Sequence, residues 1–411
     1  MTQGKRLVAA CMACGVIILL AGMAMAESPR LFIQNPRALG MGRAGVALPY
    51  DENVFFYNPA LLSFIDKGMF TILDFRLSLN GNVLDQYDFY KNQKTDLENM
   101  DTLSEEEKEE LYENALKLRD RRGRFMLQGP FPVNYVRPYI GIGFFDQGGL
   151  YLRIRKGASG IPLIELRSRG DLLFIASVSR GMSVPHRGYV SAGLSLKYLY
   201  RVTSSVSKAI PSLANDEVIE VFQGGSFGID MGVAYRFPIH VTVGLGVYDL
   251  VSSKLKWKRK GLNPLESKVW WYDPISSDIQ WVKAPGVQKA PDQEIDPSLR
   301  VGVAYEPDWV VGHVLGKFAF ACDLDQPFDR AITFFSKLYF GAAMRLLPFP
   351  LRIRAGFAQG YPCVGIGVDT SYMRLEYAFY QEELGRYPGQ IAQQGHLFRL
   401  KLKSSQLKAL P

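Results

Sequence analysis

The amino-acid sequence predicts an all-β protein, a transmembrane antiparallel β-barrel of about fourteen strands. Three observations support this prediction. Segments of about eight to twelve residues alternate apolar and polar side chains, Gly, Pro and polar clusters separate them, and the connections alternate between short and long. Beyond the N-terminal region no run of about 18 or more apolar residues occurs, so no transmembrane helix is predicted there.

Residues 1–26 have the pattern of a secretory signal peptide. Lys5-Arg6 precedes an apolar stretch, and Ala24-Met25-Ala26 forms a small-x-small cleavage site. An uncleaved membrane anchor is the alternative, but the apolar stretch is short and polar sequence follows at once. We therefore expect the segment to be removed and the chain to be exported.

Charge and cysteine content narrow the class of protein further. The chain has 48 basic and 40 acidic residues and a net charge of +8, of which the signal segment contributes two charges. No nucleic-acid recognition module accompanies this mild excess, so no nucleic-acid partner is predicted. Cys322 and Cys363 lie outside the signal, and either a disulfide or two buried thiols is compatible with their spacing.

The alternation is clearest near the C-terminus. Leu338 and Phe340 share one face of a predicted strand, and Tyr339 and Arg345 share the other. One face is apolar and the other mixed, as in strands with a lipid side and a lumen side. The predicted strands are 69–79, 137–146, 149–156, 171–181, 188–201, 225–236, 239–250, 297–306, 315–324, 337–346, 350–359, 361–368, 371–380 and 395–404.

The predicted connections alternate in length, as the short periplasmic turns and longer outer loops of bacterial barrels do. This places both chain termini in the periplasm. A soluble two-sheet sandwich is the alternative, but it does not require alternating loop lengths. Tyrosines near strand ends suit interfacial girdles: Tyr139, Tyr189, Tyr200, Tyr235, Tyr305 and Tyr380. Short turns are predicted at Asp146–Gly148, Met182–Arg187, Phe237-Pro238, Leu347–Phe349 and Asp369-Thr370, and long connections at 80–136, 202–224, 251–296, 325–336 and 381–394.

Residues 101–124 form a predicted helix within the first long connection. Ser104 and Glu107 make a capping box, and basic residues follow at the other end. The helix either shapes an entrance or is a solvated amphipathic element.

Tryptophan is concentrated in residues 257–282. The side chains of Trp257, Trp270, Trp271 and Trp281 stand there among lysines. Rigid aromatic area beside cations suits capture of an amphiphile by an outer loop, and a self-packed aromatic cluster is the alternative.

Motifs that suggest catalysis lack their structural context. Gly40, Gly42 and Gly45 match a dinucleotide fingerprint, but no parallel α/β pattern follows. A G-x-S-x-G match at 224–228 opens an alternating strand, and the four histidines, His186, His240, His313 and His396, are scattered. No catalytic residue, cofactor or metal site is predicted, and the chain is not expected to be an enzyme.

The segment Asn35–Ala47, followed by Asn53–Leu62, resembles the start of FadL-type long-chain fatty-acid outer-membrane transporters. In that family the opening forms a hatch that plugs a fourteen-stranded barrel. The resemblance implies a hatch over residues 27–68, a barrel over 69–404 and a C-terminal tail over 405–411. The hatch residues are then Gly40, Gly42, Gly45, Asn58, Pro59 and Ala60.

The resemblance also implies a function. A protein of this type facilitates diffusion of hydrophobic or amphipathic compounds, such as long-chain fatty acids, across the cell outer membrane, with membrane lipid and such small molecules as its partners. The alternative is a PorV-like relative, a structural or secretion-partner barrel that binds proteins and transports no small molecule.

Basic side chains lie on the mixed face of several predicted strands, and in a barrel that face points inward. They are predicted to hold an anionic headgroup, or alternatively to pair with inward acids such as Glu376. These residues are Arg153, Arg155, Lys197, Arg201, Arg352, Arg354, Arg374 and Arg399.

Overall fold

The structure, a computed structural model, describes most of the chain. The described residues are 35–48, 53–71, 73–119, 122–129, 132–157, 160–185, 188–210, 219–262, 281–282, 293–307, 315–330, 332–346, 349–370, 372–384 and 388–402. The predicted signal segment 1–26 and tail 405–411 lie outside them.

One closed sheet of eighteen strands forms the wall, and every neighbouring pair is antiparallel. The last strand pairs with the second, so the sheet closes on itself. The strands are β1 Met69–Thr71, β2 Leu73–Gly81, β3 Arg122–Gln128, β4 Val133–Arg137, β5 Ile140–Lys156, β6 Pro162–Val184, β7 Gly188–Ala209, β8 Ile219–Arg236, β9 Val241–Ser252, β10 Lys256–Leu262, β11 Trp281–Val282, β12 Ser298–Tyr305, β13 Leu315–Asp325, β14 Leu338–Leu346, β15 Leu351–Ala358, β16 Tyr361–Asp369, β17 Met373–Glu383 and β18 Ala392–Leu402.

Four crossings of the wall are each made of two consecutive strands. These are β1 with β2, β3 with β4, β9 with β10, and β11 with β12, because each of these pairs adjoins the same neighbours. The eighteen strands therefore make fourteen crossings of the wall. The predicted fold class, a closed antiparallel barrel of fourteen strands, is confirmed.

Strands β10 and β11 lie within the predicted connection 251–296, and two further errors in the predicted strand map change the number of crossings and cancel each other. The predicted turn Asp146–Gly148 is the middle of the continuous strand β5. Gln147 and Gly149 of that stretch are buried on the lumen side. There, polar and small side chains occupy buried positions that apolar side chains fill in most proteins. The missed crossing is β3 with β4, inside the predicted connection 80–136.

The two ends of the barrel differ in their connections. At the end we call the short-turn end, the strands are joined by residues 138–139, 185–187, 237–240, 306–314, 347–350 and 370–372. At the opposite, long-connection end they are joined by residues 82–121, 157–161, 210–218, 263–280, 326–337, 359–360 and 384–391. The wall begins with β1 and finishes with β18 at the short-turn end.

The outer surface of the wall is an apolar belt. On successive strands every second residue is both apolar and exposed, and its neighbours are buried. Water would oppose so large an exposed apolar area, and a bilayer favours it, so the wall is membrane-spanning. Belt residues include Ile142, Phe144, Leu172, Phe174, Leu194, Leu196, Met231, Val233, Val243, Leu245, Val303, Phe320, Phe340, Ile353, Phe357, Val364, Ile366, Leu375, Phe398 and Leu400.

Within the described part of the chain, no helix is long and apolar enough to cross a membrane. Aromatic residues cluster at the short-turn end, where Tyr139, Phe237, Phe349 and Tyr372 are exposed. Tyr380 is not part of a girdle, because its side chain is buried and its hydroxyl hydrogen-bonds with Asn80.

The helices form two groups, one buried in the lumen and one at the long-connection end. The short helix α1 is Pro36–Gly40, and 3-10 helices follow at Val54–Phe56 and Pro59–Phe64. At the long-connection end are α2 Val83–Asn92, α3 Lys94–Glu98, a 3-10 turn Met100–Thr102 and α4 Glu105–Lys117, with a further 3-10 turn at Phe335–Lys337.

Helix α4 has the predicted capping box. The Glu107 N–H donates to Ser104 Oγ over 3.3 Å, and the Ser104 N–H donates to the Glu107 carboxylate over 2.8 Å. The helix ends at Lys117 instead of residue 124, because Arg122 already belongs to β3. Leu111 and Ala115 pack on Ile210, so the helix rests on the tops of the long strands β6 and β7.

Candidate functional site

Residues 35–48 and 53–65, here called the N-terminal segment, are almost entirely buried. Helix α1 contacts β15, β16, β17 and β18, and the 3-10 helix Pro59–Phe64 contacts β6, β7 and β8 on the other side of the barrel. The segment therefore lies across the lumen and touches opposite walls.

The wall presents glycine where the backbone of the segment comes closest. A Cβ at Gly341 would lie 2.3 Å from the Met41 carbonyl oxygen, and one at Gly244 would lie 2.3 Å from the Val46 carbonyl oxygen. Such distances exclude any side chain. Gly141, Gly193, Gly232, Gly246, Gly302, Gly356 and Gly365 likewise face the segment.

The predicted hatch glycines lie at these contacts. A Cβ at Gly40 would lie 2.8 Å from Gly365 Cα, and one at Gly42 would lie 2.3 Å from the Phe357 carbonyl oxygen. Gly42 also has a φ of 60°. Gly45 differs in that its N–H donates to the Asp323 carboxylate over 2.8 Å.

Asn58, Pro59 and Ala60 form the second contact region. The Asn58 side-chain amide donates to the carbonyl oxygens of Val46, over 2.9 Å, and Val233, over 3.1 Å. Its Oδ1 accepts the Ala60 N–H over 3.0 Å and caps the 3-10 helix that Pro59 begins. Asn58 thus joins both halves of the N-terminal segment to the wall. That the segment acts as a hatch remains a prediction.

Further polar anchors of the segment were not predicted. Asp323 of β13 accepts N–H groups from Gly45 and Val46, and Arg43 pairs with Glu382 of β17 over 2.6 Å. Arg300 donates to the Arg43 carbonyl oxygen over 3.1 Å. The two carboxylates are hundreds of residues away in sequence, so no local pattern indicates them.

Four of the predicted lumen cations form ion pairs near the short-turn end, Arg354 and Arg399 in a buried network and the other two half-buried. Arg399 pairs with Asp74 over 2.7 Å and with Glu376 over 2.9 Å, and Glu376 also pairs with Arg354 over 2.6 Å. Asp369 binds the other two, Arg352 over 2.5 Å and Arg374 over 3.2 Å.

The remaining predicted cations lie closer to the long-connection end of the barrel. Lys197 pairs with Asp230 over 2.7 Å and Asp249 over 2.8 Å, and Arg201 donates twice to Asp171. Arg155 is exposed and pairs with Glu165, and Arg153 is half-buried near the same end. The cations Arg155, Lys197, Arg201, Arg352, Arg354, Arg374 and Arg399 therefore each have a carboxylate partner, as the alternative interpretation required. Headgroup binding by these residues remains a prediction.

A cavity of about 350 Å³ lies in the lumen towards the long-connection end. Its floor includes Arg43 and Phe56 of the N-terminal segment. One wall is apolar, with Leu173, Ile175 and Leu199. The other wall is charged, and its lining residues include Lys197, Asp230, Tyr248, Asp249, Arg300, Asp325, Lys337 and Tyr339.

The predicted tryptophan loop is only partly described. Trp257 lies in strand β10, is buried and packs edge-to-face on Phe222, so it is not on an exposed outer loop. Trp270 and Trp271 lie outside the described residues, as does the side chain of Trp281. Capture of an amphiphile by the other three tryptophans stays a prediction.

The two thiols outside the signal segment and the G-x-S-x-G match lie in strands of the wall. Cys322 and Cys363 are free, on strands separated by β14 and β15. In the described ranges no group of three His, Cys, Asp or Glu side chains is placed to hold a metal ion. Ser226 of the G-x-S-x-G match donates to the Ser253 carbonyl oxygen instead of a catalytic base.

No family model matches the sequence, and no curated protein matches it. Among solved structures, the TodX monoaromatic hydrocarbon channel deltaS2 mutant is 11% identical, with a TM-score of 0.47 over 90% of this chain and 97% of that one. A Pseudomonas aeruginosa FadL homologue is 11% identical, with 0.43 over 94% and 100%. The Pseudomonas putida toluene transporter TodX is 12% identical, with 0.43 over 92% and 98%.

Proposed function

We propose that the protein is a FadL-type channel of the outer membrane that facilitates diffusion of hydrophobic or amphipathic compounds. One observation supports this function most directly: a lumen cavity with one apolar and one charged wall, in a membrane barrel crossed by its N-terminal segment. A water-filled pore would suit hydrophilic solutes, whereas this cavity suits a molecule with a tail and a polar end.

The two walls suggest how such a molecule would lie. Phe56, Leu173, Ile175 and Leu199 offer a continuous surface for a tail, and burial of each methylene contributes about 0.8 kcal/mol. The volume of about 350 Å³ falls within the usual range for small-molecule sites. A polar end would face the charged wall.

Long-chain fatty acids are the proposed cargo because of Lys337. Its ammonium group donates to the carbonyl oxygens of Pro327, over 3.3 Å, and Asp329, and it has no carboxylate partner among the described residues. Arg43, Lys197 and Arg300, which also line the cavity, each pair with an acid. An entering carboxylate would therefore bind Lys337 without displacing an existing ion pair.

The experiment compares uptake of a radiolabelled long-chain fatty acid and of a neutral hydrocarbon in a deletion strain. Lys337→Met should lower fatty-acid uptake about tenfold, the loss of one charge-assisted hydrogen bond, and leave hydrocarbon uptake unchanged. Lys108→Met, on exposed helix α4, is the matched control. Equal loss of both cargoes would show that Lys337 does not select the carboxylate.

Uptake by the wild-type chain tests the broader proposal that the protein is a channel for hydrophobic compounds. Fatty-acid or hydrocarbon uptake that depends on the chain supports it. No uptake of either cargo, together with co-purification of secreted proteins, would favour the PorV-like alternative instead.

We further propose that the short-turn end faces the periplasm. The first and the last strand of the wall, β1 and β18, would then begin and finish on the periplasmic side. The alternation of connection lengths supports this orientation. Epitope tags inserted after Gly389, in the connection 384–391, and in the turn 370–372 test it on intact cells. The first tag should be accessible to antibody and the second should not, and the reverse pattern would invert the orientation.

A further inference from the structure

The connection Gln326–Lys337, between β13 and β14, carries three exposed phenylalanines. Phe328 is 83% exposed, Phe334 61% and Phe335 70%. Their rings leave a large apolar area uncovered at the long-connection end, and such an area indicates an interaction surface.

The length of the adjoining strands places this connection at the membrane boundary. Strand β13 has 11 residues and β14 has 9, which is about the number that a tilted strand needs to cross a bilayer. By contrast, β6 and β7 have 23 and 22 residues and extend far beyond the belt. The rim of the barrel is therefore low at β13 and β14.

The apolar surface of the connection adjoins the belt. Phe320 on β13 and Phe340 on β14 are exposed on the lipid side, and Leu324 pairs with Leu338 directly below the connection. The outer apolar surface thus runs without a charged residue from the belt to the beginning of the connection. This continuity favours the bilayer as the occupant of the phenylalanine surface.

The opposite face of the same connection forms part of the cavity. Gln326, Ile332, Ser336 and Lys337 line it. This one short connection therefore lies between the lumen cavity and the membrane surface.

We propose that the connection 326–337 is a membrane-docking rim, whose phenylalanines enter the outer leaflet and set the mouth of the cavity against it. Cargo dissolved in that leaflet then enters the cavity over this rim. Docking in a leaflet follows from the wall geometry, the choice of the outer leaflet rests on the proposed orientation, and the entry step rests on the proposed function.

Docking is tested with spin labels in a cysteine-free chain reconstituted in phospholipid vesicles. Labels at 328, 334 and 335 should collide with oxygen far more than with a water-soluble nickel chelate, as a label at the belt residue Phe340 should. A label at Tyr87, which is exposed on helix α2, gives the aqueous reference. If the ratio of oxygen to nickel collisions at 328, 334 and 335 equalled the ratio at Tyr87, the proposal would be overturned. This would hold even if added cargo then shielded these labels from the nickel chelate.

The entry step is tested by replacing all three phenylalanines with serine. Uptake of a cargo delivered from donor vesicles should fall at least fivefold, and Phe349→Ser is the matched control, 60% exposed at the short-turn end. Unchanged uptake despite lipid-like labels would refute entry over the rim. If the wild-type chain carries no cargo, the proposed function fails, while the label experiment still decides docking.

Discussion

Single glycines determine how the N-terminal segment fits the wall. Gly341 of the wall meets Met41, Gly356 meets Met41 and Gly42, and the closest distances are to backbone atoms. Backbone atoms cannot rotate away as a side chain can, so even one methyl group has no room. Two main chains therefore lie in direct contact at this place.

Gly341→Ala should destabilise the protein by about 1–3 kcal/mol, the usual cost of overpacking. The new Cβ would lie 2.3 Å from the Met41 carbonyl oxygen. Denaturant unfolding in lipid vesicles measures the change. Gly149→Ala is the control, since its Cβ would lie 3.3 Å from the flexible Met126 side chain. A loss as large for Gly149→Ala would refute the backbone-contact explanation.

Arg399 is the centre of the ionic network near the short-turn end. Its replacement by methionine leaves Asp74 and Glu376 buried with one guanidinium each, Arg76 and Arg354. We expect a loss of about 3–5 kcal/mol in the same unfolding measurement.

The exposed pair of Lys108 with Glu105 provides the comparison for Arg399. Lys108→Met should cost less than about 1 kcal/mol, because water screens that pair. An Arg399→Met variant as stable as Lys108→Met would mean that the network does not stabilise the barrel.

The sequence predicts the direction of these charged side chains but not their partners. The alternation puts Arg354, Arg374 and Arg399 inward, and the structure agrees. Asp74, however, is 325 residues from Arg399 and meets it only because β18 pairs with β2. Closure of the wall creates this contact, so no local pattern contains it.

At the scale of elements, the helix α4 shows how far local rules reach. The capping box depends on two residues three positions apart, and the structure contains it as predicted. The hydrogen bond from the Ser104 N–H lowers the pKa of the Glu107 carboxyl. Because the folded pKa is lowered, the stabilisation is present above the ordinary pKa of about 4.3 and disappears as the pH falls through the lower folded value.

Glu107→Gln should speed amide hydrogen exchange in the first turn of α4 about two- to fivefold at neutral pH, since the charged acceptor of the Ser104 N–H is lost. The difference from wild type should shrink at a pH below the folded pKa of Glu107. Glu110→Gln, in the same helix but outside the box, should change exchange little. A pH-independent difference would exclude the charged form of Glu107 as the cause.

Strand β5 shows where local rules mislead. Asp146, Gln147 and two glycines have the composition of a turn, but they lie in mid-strand. A Cβ at Gly143 would lie 2.4 Å from the Phe145 ring, so this position has no room for a larger residue. The lumen thus selects small and polar residues for packing reasons, and the same residue types normally mark chain reversals. The sequence does not predict the crossing made of β3 and β4, because residues 129–132 interrupt the alternation of apolar and polar side chains.

For the whole molecule, closure of the sheet is the main determinant of stability. Among the described residues, each of the fourteen crossings has a neighbour on both sides, and backbone groups inside a bilayer have no water to bind. Opening the wall would therefore leave many groups unpaired at once. We expect the purified protein to migrate faster in detergent gels before heating than after, and equal migration would contradict a closed barrel.

The contacts of the N-terminal segment also impose an order on folding. Arg43 and Glu382 are 339 residues apart in sequence, and other contacts of the segment reach β16 and β18. Contacts over such distances form late, because the entropy of closing the intervening chain opposes them. The segment precedes the wall in sequence but finds its final surroundings only when the last strands are in place. We therefore expect this protein to assemble from the wall to the segment, the reverse of their order along the chain.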